Sequence, residues 1–362
     1  MAHRLAGGLK GFDRKVVTLA SAGAAQFDAR SDPAIRRVSA DRRLGATRNL
    51  ILNAVALREA LRFRPHATLS VHIVTSPAAA AIRRALGART VQYFHAKEIP
   101  NKPKLAAFAV RHANTVIAVS AYTSGLVTAT EVTPAAIRLI PPGVDLPSDP
   151  RPLPAERPTF VTIARLEDRY KGHDVLITAL ALVRRRVPDV EWVVIGDGPL
   201  RPELEELARS GEVADSVRFL GSISDEERNL WLRRADLLAM PSRLPGGNSA
   251  GEGFGIAYLE AAAYGKPVVA GNVGGALDAV ADKQSGLLVD PTDPGAVADA
   301  ITRLLLDREL ARRLGAAGAE RAQSFAWPRI AERVEAVLLE TLGPSSRLGV
   351  TRRQEDSART AA

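Results

Sequence analysis

Residues 159–198 read TFVTIARLEDRYKGHDVLITALALVRRRVPDVEWVVIGDG, and this stretch decides the fold. A short run of β-branched and aromatic residues over 159–163 leads into helical periodicity over 175–186. A second apolar run follows at 192–195. The same alternation continues outward, with helices expected over 201–209, 225–234 and 255–264. Strands are expected over 217–220, 237–239, 268–270 and 287–289. Strand–helix alternation at this spacing predicts βαβ units and a parallel sheet covered on both faces. Helix-start signals agree: Ser224 and Glu227 have capping-box spacing, and Asp293-Pro294 sets a cap before a first-turn proline.

The first half repeats the pattern more loosely, with strands expected at 15–19, 69–74, 90–94, 116–119 and 138–140. The organisation predicted is an α/β domain over 1–145, a proline-studded linker over 146–158, and a second α/β domain over 159–326. A helix over 327–342 follows. From 343 onward the chain is rich in Arg, Ser and Ala without apolar periodicity, which reads as a disordered tail. The fold class is therefore α/β, with two doubly wound parallel-sheet domains facing a cleft. In such sheets ligands bind at the carboxyl ends of the strands.

Bulk properties narrow the function. At 362 residues the chain is too long for one ordinary core. It contains no apolar run near the ~20 residues that span a bilayer and no signal-peptide core. With no cysteine, disulfides and thiolate–metal sites are excluded, and a cytoplasmic setting fits. Six histidines at 3, 66, 72, 95, 112 and 173 lack metal-ligand spacing. Residues 1–150 carry 21 Lys and Arg against 9 Asp and Glu, whereas the remainder carries 28 against 31. The basic half suits an anionic membrane surface or a phosphate-bearing acceptor, with a solvated arginine-rich surface as the plain alternative. Nothing interleaves aromatic and basic residues as nucleic-acid binding would require.

Three stretches of the second half point to one ligand type. After the strand at 159–163, Arg165 and Lys171 stand six residues apart and can close on a diphosphate from two sides. After the strand at 192–195, Gly196-Asp197-Gly198 permits close backbone approach, though it is also ordinary turn chemistry. The third runs from Pro241-Ser242-Arg243 through a Gly-Gly-Asn segment to Glu252-Gly253-Phe254-Gly255, then into a helix that contains Glu260. Gly253 and Gly255 flank the helix start, where free amides and the dipole favour a phosphate. Glu252 precedes the helix and can meet a sugar hydroxyl. Glu260 reaches ~8–10 Å further along at ~1.5 Å per residue, and a carboxylate there can accept from ribose hydroxyls. Its neighbours Ile256, Ala257, Leu259, Ala261, Ala262 and Ala263 are apolar, so this carboxylate needs a partner.

This stretch resembles the E-x7-E signature of glycosyltransferase family 4, retaining enzymes of the GT-B fold. The likeness runs from about Val116 to Trp327 and includes Val119-Ser120, Ile140 to Asp145, Phe219-Leu220-Gly221, Met240-Pro241-Ser242, Gly271 to Gly275 and Gly286 to Val289. The block Pro241 to Glu260 resembles actinobacterial phosphatidylinositol mannosyltransferases. The resemblance implies that Arg165 and Lys171 neutralise the departing diphosphate, with the amides of Gly253, Phe254 and Gly255 on its distal phosphate. It places Glu252 on the transferred sugar, Glu260 on the ribose and the Phe219-Leu220 backbone at the base. Gly196, Asp197 and Ser242 complete the donor-binding set. His95 matches a histidine that the family keeps near the donor sugar. Retention by front-face attack needs no dedicated protein base, and without an Asp-x-Asp clamp no essential metal or other cofactor is expected beyond the nucleotide-sugar co-substrate, GDP-mannose or a UDP-sugar.

The function expected is hexosyl transfer, of mannose or glucose, from a nucleotide sugar to a lipid or glycan acceptor. The protein would be cytoplasmic and peripheral at an anionic membrane. One departure from the family stands at the start: 2–9 reads as the tail of the first helix, so the opening strand and Gly-rich loop are missing. That implies a late start or a truncated protein, with an N-terminal sheet lacking a central strand. It keeps open a non-catalytic sugar-nucleotide-binding protein. A GT-B epimerase fits the carboxylate and cation set less well.

Overall fold

The computed structural model describes residues 1–20, 34–39, 45–246 and 249–343. Gly247 and Asn248 of the Gly-Gly-Asn segment, and the expected tail beyond Gly343, lie outside these residues. Contacts divide the chain into two compact units: Met1–Pro142 together with the chain from Trp327, and Gly143–Ala326.

The first unit opens with α1 (Ala2–Gly8), β1 (Lys15–Leu19), β2 (Ala34–Val38) and α2 (Gly45–Phe63). It continues through β3 (Ala67–Ser70), α3 (Ser76–Leu86), β4 (Arg89–Phe94), α4 (Glu98–Asn101) and α5 (Pro103–His112). β5 (Thr115–Ala118), α6 (Ala121–Thr128) and β6 (Ile137–Leu139) complete that run. All strand pairs are parallel, but they form two sheets, β1-β2 and β3-β4-β5-β6. Among the described residues β1 pairs only with β2 and β3 only with β4, a break between two groups of parallel strands. Burial follows the break: β5 is buried throughout and β4 beyond Arg89, whereas β1 is half-exposed or exposed along its length. β2, with two arginines in five residues, was not foreseen. The strand expected to run to 74 stops at Ser70, because the chain bends into a 3-10 turn, Ile73–Thr75. The Ser70 hydroxyl bonds the His72 carbonyl and the Thr75 hydroxyl there, at 3.1 and 2.7 Å.

The second unit contains β7 (Thr159–Ile163), α7 (His173–Arg184), β8 (Glu191–Ile195), α8 (Arg201–Ser210), β9 (Val217–Gly221) and α9 (Asp225–Arg234). It goes on through β10 (Leu237–Met240), α10 (Ile256–Ala263), β11 (Val268–Gly271), α11 (Ala276–Ala279), β12 (Gly286–Val289), α12 (Pro294–Leu306) and α13 (Arg308–Gln323). The chain then returns to the first unit as α14 (Trp327–Leu342), where Ala331 packs against Gly8 of α1. The sheet is fully parallel in the order β12-β11-β10-β7-β8-β9. The first strand of the unit therefore lies beside the fourth, and the chain winds outward from that pair in both directions. This is a doubly wound sheet with its topological switch between β7 and β10, where a crevice opens beyond the carboxyl ends.

The strands are near-continuous apolar runs because both faces are covered. Trp192 anchors one face, fully buried and stacked on Phe160 at 5.8 Å. Its indole N–H donates to the Thr162 hydroxyl (2.9 Å), which donates to the Ala239 carbonyl (2.6 Å), so β8, β7 and β10 are tied through side chains. Both helix-start signals are made: Ser224 and Glu227 complete a capping box, and Asp293 accepts from Gly295 N–H at 2.8 Å. The stretch 146–158, expected as a linker, is packed onto the second unit. Leu153 N–H donates to the Arg233 carbonyl, and Arg233 returns a bond to the Arg151 carbonyl.

Two helical glycines separate packing from propensity. A Cβ on Gly315 in α13 would overlap the Gly265 carbonyl oxygen, whereas a Cβ on Gly125 in α6 meets nothing. Gly125→Ala should raise stability by about 0.5–1 kcal/mol, the usual helix gain. Gly315→Ala should lower it by about 1–3 kcal/mol through overpacking. Thermal unfolding of the two variants checks this, and shifts of the same sign would contradict the packing described.

Candidate active site

The loops leaving β7 and β10, the two strands at the switch point, hold the charged residues singled out by the sequence. The β7 loop carries Arg165 and Lys171 and ends in a 3-10 turn (Arg169–Lys171) at Gly172. Gly172 takes φ +82, and any side chain there would strike the Pro241 carbonyl at the end of β10. A glycine thus lets the β7 loop lie directly on the β10 loop. The consequence is an ion pair: Lys171 Nζ contacts Glu252 Oε2 at 2.5 Å, with only 17% and 13% of the two side chains exposed. Arg165 is not part of this contact; 72% exposed, it pairs with Glu167 at 3.1 Å.

Glu252 is held by the glycines after β11. Gly275 N–H donates to the Glu252 carbonyl at 2.8 Å, and a Cβ on Gly275 would overlap the Gly253 carbonyl. Gly271 is pressed in the same way against the carbonyl of Ser242, which is fully buried. Phe254 is a core residue, packed on Phe325 at 5.7 Å. Gly255 is the α10 N-cap at φ +90, with the buried Tyr258 ring filling the space its side chain would take. Tyr258 donates to the Met240 carbonyl (2.8 Å), and burial pushes its phenol pKa far above the usual value. The start of α10 is thereby fixed to the end of β10.

Glu260, just over one turn into α10, has the partner that its apolar surroundings require. Arg228 Nη1 of α9 lies 3.6 Å from its carboxylate. Burial raises the Glu260 pKa, and Arg228 opposes that rise. The glycines of Gly196-Asp197-Gly198 serve the chain itself: their Cβ atoms would overlap the carbonyls of Ala164 and Leu166. Asp197 is tied locally, accepting Gly198 N–H at 2.8 Å, and its carbonyl takes Leu166 N–H. The Phe219 carbonyl accepts from Arg201 at 3.3 Å, and the Arg201 guanidinium lies over the Phe219 ring. Leu220 follows, half-buried, at the end of β9.

His95 belongs to the first unit, directly after β4. Its ring stacks beside Tyr93 and its Nε2 bonds the Val71 carbonyl at 3.2 Å; burial pulls its pKa down to about 4, so the ring is neutral at pH 7. The residue that fixes this corner was not foreseen. Glu98, buried, accepts from His95 N–H (3.0 Å) and Ile73 N–H (3.3 Å) and has its pKa raised to about 7 by burial. The spacing His95-x-x-Glu98, half a capping box, is the signal that could have found it. Arg228 and Asp174 were also missed, the latter three residues after Lys171, and Arg243 was named within the third stretch without a role.

Comparison with known proteins gives the arrangement a family. Residues 148–321 match the family described as glycosyl transferases group 1, and residues 1–147 match glycosyltransferase family 4. A GDP-mannose-dependent alpha-(1-6)-phosphatidylinositol monomannoside mannosyltransferase of Mycobacterium tuberculosis is 42% identical over 214 residues. That alignment covers 56% of this chain and 55% of the relative. A D-inositol 3-phosphate glycosyltransferase of Corynebacterium diphtheriae is 37% identical over 191 residues, covering 51% and 43%. The matched region is thus about half the length of these relatives. Among solved structures, sucrose-phosphate synthase from Thermosynechococcus elongatus aligns with a TM-score of 0.77 at 22% identity, over 99% of this chain and 93% of that one. Anabaena HepE in complex with UDP aligns at 0.76 and 22%, over 92% and 94%. At that identity the likeness concerns the fold alone. Each half of the chain thus matches a glycosyltransferase family model, and the fold is GT-B.

Proposed function

We propose that the chain transfers mannose from GDP-mannose to a lipid acceptor bearing an inositol-phosphate headgroup, with retention at the anomeric carbon and without a metal. The observation that carries this reading is the Lys171–Glu252 pair at the switch point of the second unit, with Glu260 in the helix that follows Glu252. The relatives named above supply the donor and acceptor classes.

The chemistry follows from those residues. The bond from the sugar C1 to the β-phosphate oxygen breaks, leaving oxocarbenium character on the sugar and negative charge on the diphosphate. Lys171 stabilises that growing charge, and Arg165, on its exposed loop, adds a second cation. The amides at the start of α10 bind the distal phosphate. Glu252 accepts from sugar hydroxyls, and Glu260, faced by Arg228, accepts from the ribose. The acceptor oxygen attacks C1 on the face the diphosphate leaves, and its proton passes to a phosphate oxygen. No protein base is required. A peripheral cytoplasmic placement fits the basic first half, in which α2 exposes Leu61 and Phe63 next to Arg62. Among the described residues no helix is long and apolar enough to cross a membrane.

A second reading, sugar-nucleotide binding without transfer, is favoured by the break between β1 and β3 in the first unit.

One assay separates these readings: radiolabelled GDP-mannose and UDP-glucose offered with phosphatidylinositol mannoside acceptors. Turnover of GDP-mannose supports the enzyme, binding without turnover supports the second reading, and neither binding nor turnover contradicts both. Glu252→Ala and Lys171→Ala should each lower transfer by about 100-fold or more with the fold intact by circular dichroism. Full activity in either variant refutes its role. EDTA should leave the rate unchanged and NMR of the product should show the donor's anomeric configuration; an inverted product or a metal requirement contradicts the mechanism.

A further inference from the structure

The β7 and β10 loops are joined by more than the Lys171–Glu252 contact. Arg243, one residue past the buried Ser242, reaches back to the β7 loop and to the helix that follows it. Its backbone N–H donates to the Tyr170 carbonyl at 2.8 Å. Its guanidinium forms a two-pronged pair with Asp174, Nη1 to Oδ1 at 2.8 Å and Nη2 to Oδ2 at 2.7 Å. Tyr170 and Asp174 flank Lys171 on its two sides. A single residue of the loop that carries Glu252 therefore grips the chain immediately before and shortly after the lysine.

We infer that the Arg243–Asp174 pair is a positioning clamp for Lys171, setting where the ammonium stands for the nucleoside diphosphate of the donor. The inference rests on the reading of Lys171 as the diphosphate cation.

Geometry gives the clamp its force. Lysine is a point charge on a flexible stem, so its placement depends on the backbone beneath it. That backbone is a 3-10 turn of three residues followed by a left-handed glycine, too short to hold a direction unaided. Asp174 lies in the first turn of α7, a rigid element of twelve residues anchored in the core by Leu176, Ile177 and Leu180. The planar fork of Arg243 matches the carboxylate in two bonds and so fixes orientation as well as distance. The arginine also holds the Asp174 carboxyl below its usual pKa range against the opposing effect of burial, so the pair stays charged at neutral pH. Neither side chain belongs to the set that contacts donor in the proposed function.

The test measures GDP and UDP affinity by calorimetry, together with kcat and KM for whichever donor turns over. It compares the full chain with Arg243→Ala, Arg243→Lys, Asp174→Asn, Lys171→Ala and the double variant Arg243→Ala/Lys171→Ala. A clamp acting through Lys171 predicts that Arg243→Ala and Asp174→Asn weaken diphosphate binding or kcat/KM by about 10- to 100-fold. Arg243→Lys, which keeps charge but loses the fork, should fall in between. The double variant should be no worse than Lys171→Ala alone, an outcome that general loosening of the fold does not give. Wild-type behaviour in Arg243→Ala, or losses that multiply in the double variant, overturns the clamp. Should Lys171→Ala bind and turn over normally, the diphosphate reading fails and the clamp with it. A normal Arg243→Ala beside a crippled Lys171→Ala overturns the clamp alone.

Discussion

Lys171 and Glu252 face each other at 2.5 Å with little of either side chain in water, and the second unit is arranged around that contact. Two charges withdrawn from solvent cost free energy unless each has a partner, so neither residue could hold this place alone. The contact requires two loops from different strands to meet, which is possible because β7 and β10 are neighbours at the reversal of strand order. The loops must also pass within van der Waals distance of one another. Gly172 against Pro241 is where a methyl group would prevent it, and Gly271 against Ser242 and Gly275 against Gly253 seat the β10 loop on the end of β11 in the same way. The glycines are spread over more than a hundred residues of sequence and act at one point in space.

Charge at this point has a chemical use. A cation beside a carboxylate can serve a donor whose diphosphate takes the first and whose sugar hydroxyls take the second. The Glu260 carboxylate, its pKa raised by burial with Arg228 opposing, lies in the helix that follows Glu252. Doubly wound sheets offer ligands a crevice at such a switch point.

Much of this was legible in the sequence of the second unit and less in the first. Strands β7 and β10 are fully buried or nearly so, and their apolar runs stand out against the polar loops on either side. β2, with its two arginines in an edge of a two-stranded sheet, carries no such contrast. β1 was placed correctly, yet its half-exposed residues show the cost of a sheet that does not continue to β3. At the candidate site, Lys171, Glu252 and Glu260 could be singled out because one follows a strand end and the other two bracket a helix start. Arg243 with Asp174, and Arg228 with Glu260, join residues 69 and 32 positions apart. Spacing along a single chain cannot signal such pairs before the sheet order is known. The glycines of Gly196-Asp197-Gly198 taught a further lesson. The backbone does approach closely there, but its neighbour is the β7 loop at Ala164 and Leu166.

The central claim, that this ion pair marks the donor site, is tested most directly by a crystal structure of the full chain with GDP-mannose. The account predicts Lys171 Nζ within hydrogen-bond distance of a diphosphate oxygen and Glu252 within the same reach of a sugar hydroxyl. A donor bound elsewhere, with Lys171 and Glu252 contacting only each other, would contradict it.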